Sequence, residues 1–414
     1  MLNQEVQSFK SPPFLKMEGF FFVGTSFMNH LFFIFFSLFS CLSNAMESSD
    51  QTFLIDLVNL NSSSHSIEGC DRVRQRISQE AKKLGLNVRT FELQEKRKIL
   101  MIEAQDAQPE ILFIGHVDTV FSKDSSFQKA TLLKEKIKGP GVIDMKSGIV
   151  LMFSILKKLS PQNRKKVRIL LNDDEELGSF ISQKKLRELS RGIPYGLVFE
   201  PGLADGSFVQ SHSGVFWFEV DVKGKAAHAG NHPERGVNAC LQLSQWIQEI
   251  QKLENPKKKL TINVGKIEGG NQTNVVCENA KAFFDLRYVD PRDLESFKKQ
   301  LHITLKTKTV FSDKKESVSV QWRHLVSIHS MPSSASEKIV SVAKKLAKKN
   351  HFDFRATHVG YASDANHLST LGISLLVGVG PYGGHMHHSE EFMKISSYDS
   401  RLKFVTALVQ KLLF

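Results

Sequence analysis

Cysteine is scarce in this chain: four residues in 414, one of them, Cys41, in an N-terminal segment unlike the rest. The other three, Cys70, Cys240 and Cys277, are widely spaced, which argues against a disulfide framework or a zinc ribbon and leaves buried, inert thiols as the expectation. Outside the first 45 residues nothing departs from a globular average. Hydrophobic and charged fractions of 41% and 24% exclude disordered, collagenous and multi-span membrane classes. Internal repeats are missing, and no low-complexity tract follows the N-terminal segment. Aromatic-interleaved basic modules are missing too. The net charge of +12 therefore reads as Lys spread over solvated helix faces such as EKIVSVAKKLAKKN (337–350), with mild attraction of anionic substrates, and not as a nucleic-acid surface.

What is present begins with the exception. Residues 1–45 carry Lys10 and Lys16, a Phe-rich apolar stretch densest at LFFIFFSLFSCL (31–42), and then Ser43-Asn44-Ala45. Those are the parts of a secretory signal, with an uncleaved membrane anchor as the alternative, and the segment is excluded from the fold. Leu38-Phe39-Ser40-Cys41 loosely resembles a lipoprotein cleavage site, and Met17 and Met28 are alternative starts. The expected location is secreted or periplasmic, with membrane contact only through this segment if it is retained.

The remaining length is enough for two or three domains and an ample core. From Leu54 to about Leu84 the spacing is helical, ending at Gly85. Short strands follow (VRTFEL, ILMIEA, ILFIGHVD), then a Gly-Pro-Gly turn, the helix SGIVLMFSILKKLS, the strand VRILLN, a helix around 179–190 and the strand GLVFE. This alternation predicts an α/β domain with a mostly parallel sheet over 46–212. Near Gly206 the texture changes to apolar–polar alternation, SFVQSHSGVFWFEVDVKG, as in a half-exposed antiparallel strand. A sheet with helices on one face is expected over 213–325, as an inserted α+β domain of ferredoxin-like order. Residues 326–414 return to the first domain.

Five short apolar runs each lead to a residue able to bind a metal: His116 after ILFIG, Asp144 after GVI, Glu175 and Glu176 after RILLNDD, Glu200 after GLVF, and His387 beyond ISLLVGVG. Read as buried parallel strands, these runs would bring two His and four carboxylates to one crevice, because open α/β sheets bind ligands beyond the carboxyl ends of their strands. Singly each residue has a bland reading: a surface His, a helix-capping Asp, a solvated acidic loop. Together they could serve two metal ions, each with one His, one carboxylate of its own and one shared, leaving one acid free as a base. His116 and Asp118 point the same way in an extended segment, so the carboxylate can sit behind the imidazole and fix its tautomer. Gly383-Gly384-His385-Met386-His387-His388 offers three candidate imidazoles.

In order and spacing, GHVDTV, GPGVIDMKSG, DDEELGS, VFEPG, AAHAGNHPERGVNA, NVVCENAKAFFDLR, GYASDAN and GGHMHHSEEF resemble the dizinc exopeptidase family of glutamate carboxypeptidase, aminoacylase and succinyl-diaminopimelate desuccinylase. Glutamate carboxypeptidase is the nearest branch. The resemblance implies two Zn²⁺, with Co²⁺ or Mn²⁺ as substitutes. His116, Asp144 and Glu200 would hold one, Asp144 would bridge, and Glu176 and His387 would complete the other. His387 is preferred over His385 and His388 because HHSEEF matches the family's His followed by Glu four residues on. Glu175 would be the general base and Asp118 the orienter of His116. His228 would polarise the scissile carbonyl, often in the partner subunit's site, and Asn274 and Arg287 would hold the substrate's carboxylate. Cys277 replaces the family's usual Pro, and Tyr361-Ala362-Ser363 a more Gly-rich turn. A small peptide or N-acyl amino acid substrate and a homodimer are implied. The alternatives are a deacylase or dipeptidase using the same site, or a catalytically silent zinc-stabilised binding protein.

Overall fold

The computed structural model describes residues 46–414; the expected signal or anchor, residues 1–45, lies outside the described residues. Two helices, α1 (Ser48–Val58) and α2 (Ile67–Lys83), come first among the described residues. α2 follows local rules at both ends. The Ser66 hydroxyl accepts from Gly69 N at 3.2 Å, Lys82 and Lys83 occupy the last turn, and Gly85 leaves with φ +70°. Among the described residues no helix is long and apolar enough to cross a membrane.

The large sheet draws on strands from both ends of the sequence: β1 (Asn87–Glu92), β2 (Lys98–Glu103), β3 (Ile111–His116), β6 (Val167–Asn172), β7 (Tyr195–Val198), β8 (Phe208–His212), β13 (Ala356–Val359) and β14 (Ser374–Val377). Their order is β1-β2-β6-β3-β7-β14-β8-β13. The centre, β6-β3-β7-β14, is parallel, and antiparallel pairs lie on either side of it. Every residue of β3 is buried, as an all-apolar strand covered on both faces requires. Helix α3 (Ser147–Lys158) is buried from Ser147 through Leu156. Short α4 (Pro161–Arg164) follows it, α5 (Gln183–Ser190) connects β6 to β7, and the chain closes through α8 (Glu337–Asn350), α9 (Asp364–Leu368) and α10 (Ile395–Leu412). Four short strands, β4 (Thr131–Leu132), β5 (Lys136–Lys138), β15 (Gly383–Gly384) and β16 (Phe392–Lys394), form a flap in the order β15-β16-β5-β4.

The inserted unit runs β9 (Gly214–Lys223), α6 (Ala239–Gln251), β10 (Thr261–Gly269), β11 (Asn279–Tyr288), α7 (Pro291–Lys306) and β12 (Ser319–Ile328). That βαββαβ order is the ferredoxin-like one, folded as an antiparallel sheet β10-β11-β9-β12. Period-two alternation decides its faces. Phe216, Phe218, Val220 and Val222 join Trp246 and Phe297 in a core beneath the two helices, with Phe218 stacked on Phe284 at 4.6 Å. The other face carries Trp217, Glu219, Asp285 and Arg287.

One expectation is corrected here: Cys240 and Cys277 form a disulfide, with Cα atoms 5.7 Å apart. The reason is tertiary. Ala239 N donates to Cys277 O at 2.8 Å, which sets the start of α6 beside the approach to β11. Among the described residues Cys70 is the free thiol, buried and pushed up to about 12 by that burial.

Candidate metal centre

Register explains why three strand ends converge. His116 at the end of β3 pairs with Asn172 at the end of β6, and Ile114 pairs with Val198 at the end of β7. Glu175 and Glu176 in the turn after β6, and Glu200 after β7, therefore open onto the space above His116. The imidazole of His116 is fixed from behind. Its Nδ1 donates to the Asp118 backbone oxygen at 3.0 Å with an Asp118 carboxylate oxygen at 3.3 Å, which leaves Nε2 facing the acids. The Asp118 carboxylate also braces the acidic turn, accepting from Ser64 Oγ (2.8 Å), Glu175 N (3.3 Å) and Glu176 N (3.2 Å).

Asp144 and His387 do not sit on strand ends, contrary to expectation. Residues 142–146 form a wide, irregular turn, non-helical at Asp144 and Met145, leading into α3. Their backbone is already claimed: Val142 N bonds Gly139 O at 3.2 Å and Lys146 N bonds Gly141 O at 2.9 Å, while Ile143 N and Asp144 N donate to Glu391 Oε1 at 2.9 and 3.3 Å. Four of the five amides are thereby withdrawn from any strand ladder. Gly141 is required where it stands, at φ +67°, with Thr119 Cγ2 only 2.4 Å from where a Cβ would lie. His387 lies in the flap between β15 and β16, at φ 62°. Glu391, fully buried, thus ties the His387 flap to the Asp144 turn; in the sequence it served only as the Glu four residues after His387, with no role of its own.

Asp144 has two faces. Its Oδ1 lies 3.2 Å from His116 Nε2 and its Oδ2 3.1 Å from His387 Nε2. Glu200 Oε1 lies 3.5 Å from His116 Nε2, and Glu176 Oε2 lies 3.3 Å from His387 Nε2. The arrangement is two triads sharing Asp144. It is His387, and not His385 or His388, that faces the acids. Glu175 is also close: donor atoms of His116, Glu175 and Glu200 lie within 4.8 Å of one another, as do those of His116, Asp144 and Glu176.

The charge balance of the cluster is one-sided. Burial and the Glu200 charge hold Glu175 well above the carboxylate range, and burial pushes Glu200 up to about 7. Hydrogen bonds to Asp144 and Glu176 push His387 up to about 10. Burial disfavours the imidazolium of His116, yet Glu200, Asp118 and Asp144 together raise it well above its usual value. Asp144 is held below the carboxylate range, its burial outweighed by the two imidazoles. Acids and imidazoles driven upward together mark excess negative charge. Glu176 Oε1 and Glu200 Oε1 are buried with no hydrogen-bond partner. Two imidazoles, four carboxylates and orphaned buried oxygens fit a pair of divalent cations of the zinc, cobalt or manganese kind.

The three candidate residues of the inserted unit stand apart. His228 is exposed, and its Nδ1 accepts from Gly230 N and Asn231 N, both at 3.1 Å, which places the proton on Nε2. Asn274 is its neighbour, its carbonyl accepting from Ala229 N at 2.9 Å. Arg287, on β11, is gripped by Asp285 through Nε (2.8 Å) and Nη2 (2.9 Å). Among the described residues no hydrogen bond or ion pair joins these three to the cluster.

Comparison with known proteins follows the same division. Residues 210–311 match the peptidase dimerisation domain, and residues 99–192 match peptidase family M28. Carboxypeptidase G2 of Pseudomonas sp. (strain RS-16) is 26% identical over 366 residues, spanning 86% of this chain and 87% of that protein. Acetylornithine deacetylase of Buchnera aphidicola is 23% identical over 74% of this chain and 81% of its own. The fold is that of aminopeptidase PepT from Bacillus cereus, with a TM-score of 0.75 at 22% identity over 89% of this chain and 99% of that one. Two partial domain matches, relatives that align over most of the chain and a metal-ready acid–imidazole cluster converge: the chain is similar to the metallo-exopeptidases and deacylases represented by carboxypeptidase G2 and acetylornithine deacetylase, and it is an enzyme of the metallopeptidase, hydrolase kind.

Proposed function

We propose that this enzyme is a carboxypeptidase that hydrolyses the amide bond before a C-terminal amino acid, glutamate being the first candidate. The observation that carries the reading is the two-faced Asp144, with one imidazole on each oxygen and Glu175 beside the pair. His116, Asp144 and Glu200 would hold one cation, and His387, Glu176 and Asp144 the other. Bound there, the cations supply Lewis acidity, which lowers the pKa of water from roughly 16 toward ~7 and polarises a carbonyl.

The protein's own groups do the rest. Glu175, held above the carboxylate range by burial and Glu200, takes the proton of the attacking water and passes it to the leaving amine. His228 donates from Nε2 to the oxygen on which negative charge develops. Asn274 and the guanidinium of Arg287 hold the substrate's α-carboxylate, which requires Arg287 to share its fork with Asp285. A homodimer in which His228 serves the partner's site is supported by the dimerisation-domain match and by the absence of contact with its own cluster. The Cys240–Cys277 disulfide supports an exported location.

The test is amine release by protein stripped with a chelator and reloaded with zinc, cobalt or manganese. The panel contains N-acetyl-glutamate, neutral N-acyl amino acids and dipeptides. Metal-dependent release, fastest from the acyl-glutamate, is expected. Preference for dipeptides or neutral acyl amino acids would install the deacylase or dipeptidase reading, and no release from any member would refute hydrolysis of this class.

A further inference from the structure

The two chain crossings between the large sheet and the inserted unit run side by side. Outbound, β8 ends at His212 and β9 begins at Gly214; inbound, β12 ends at Ile328 and the chain returns through His329 and Ser330. His212 and Met331 exchange both backbone hydrogen bonds, at 2.9 and 3.1 Å. Any rotation of one unit against the other has to be absorbed here.

One short helix grips both crossings. Asn366 of α9 is fully buried. It spends one amide hydrogen on Ser213 O (3.0 Å) and the other on His329 O (2.7 Å), while its Oδ1 accepts from Ser363 N at 2.9 Å. Ser369 Oγ donates to Ser330 O at 3.0 Å, and His212 Nδ1 donates to Tyr361 O at 2.9 Å. At about 100° per residue, Asp364 and His367 fall on the side of the helix away from Asn366, and that side holds the turn of Glu175. The Asp364 carboxylate accepts from Asn172 Nδ2 (3.1 Å) and Ser179 Oγ (2.5 Å), and His367 Nε2 donates to Gly178 O at 3.0 Å. Gly178 N and Ser179 N in turn close the acidic turn on Glu175 O (2.7 Å) and Asp174 O (2.8 Å).

We propose that α9 is a rigid coupler between the interdomain hinge and the turn that carries Glu175, so that rotation of the inserted unit and placement of Glu175 move together. Asn366 and Asp364 are its two handles and act as positioning residues. The coupling is a property of the fold; only its kinetic consequence rests on Glu175 being the base.

The test reads both ends by amide hydrogen exchange on the full chain. Asn366→Ala removes the two hinge-side bonds and the Oδ1 bond to Ser363 N, none of them made to the acidic turn, yet exchange at Gly178, Ser179, Ile181 and Ser182 should accelerate about tenfold or more. Asp364→Asn should do the same at His212 and Met331. Acceleration confined to the side mutated would overturn the coupler. Where Asn366→Ala fails to fold, Ser369→Ala, which removes one hydroxyl shared between Ser330 O and Asn366 O, is read in the same way at about threefold. In metal-loaded protein acting on N-acetyl-glutamate, Asn366→Ala should lower kcat about tenfold, with smaller change in KM and unchanged metal content. Crossed exchange effects without hydrolysis by the wild type would retain the coupler and sink the carboxypeptidase reading. One-sided effects in an active enzyme would do the reverse.

Discussion

Removing the Glu391 side chain should cost metal affinity, although Glu391 touches neither imidazole. Its Oε1 accepts from Ile143 N and Asp144 N at 2.9 and 3.3 Å, and the residue is fully buried. Glu391→Ala leaves two buried amides without partners, at about 1–3 kcal/mol each, or about 2–6 kcal/mol in all. The turn can relieve that penalty only by moving, and Asp144 moves with it. If about 1.4–2.7 kcal/mol reaches the cations through Asp144, affinity falls tenfold to a hundredfold, the usual range for residues that orient a ligand from behind. Glu391→Gln is the control. Burial, aided by the Asp144 charge, raises Glu391 to about 8, so near pH 7 in the metal-free protein the native side chain is itself largely neutral. An amide oxygen can accept the same two bonds, and Gln should stay within about threefold of wild type. The assay is chelator competition with zinc at pH 7. Wild-type affinity in the Ala variant, or equal loss in both variants, would refute the argument.

His387→Ala should lose about half the bound zinc by elemental analysis, whereas His385→Ala should keep it; the opposite result would move the ligand. Asp173→Ala should lower unfolding free energy in urea by about 2 kcal/mol or more, because it removes the buried acceptor of Arg74 Nη1 (2.7 Å) and of Lys98 N (3.0 Å) and leaves Arg74 only the more exposed Asp71. Replacing Cys240 and Cys277 together by Ser opens a loop of 37 residues and should cost about 4 kcal/mol on a chain-entropy argument. Unchanged urea midpoints would count against each of these two.

The sequence is most legible where local rules govern. Apolar runs located β3, β6 and β7, and the acids and His at their ends followed from strand geometry. GVI was harder, because the amides of Ile143 and Asp144 are claimed by Glu391 far along the chain, and so was GGHMHHSEEF, a turn between two short strands closed by its own local bonds. The disulfide was invisible for a related reason: the pairing of β9 with β11 and the bond from Ala239 N to Cys277 O, both tertiary, bring Cys240 near Cys277. Asn366 and Asp364 give no sequence signal of a hinge, since what they hold comes from Ser213, His329, Asn172 and Ser179. Arg287 shows the reverse limit, for its motif does not disclose that Asp285 already occupies its fork.

Glu175→Gln tests the central claim most directly. The substitution keeps the shape of the turn and removes only the proton acceptor, so metal content should remain at the wild-type level while kcat for the best panel substrate falls by about 10²–10⁴. Near-normal turnover, or loss of metal in parallel with activity, would contradict Glu175 as the base and return it to the ligand set with His116 and Glu200.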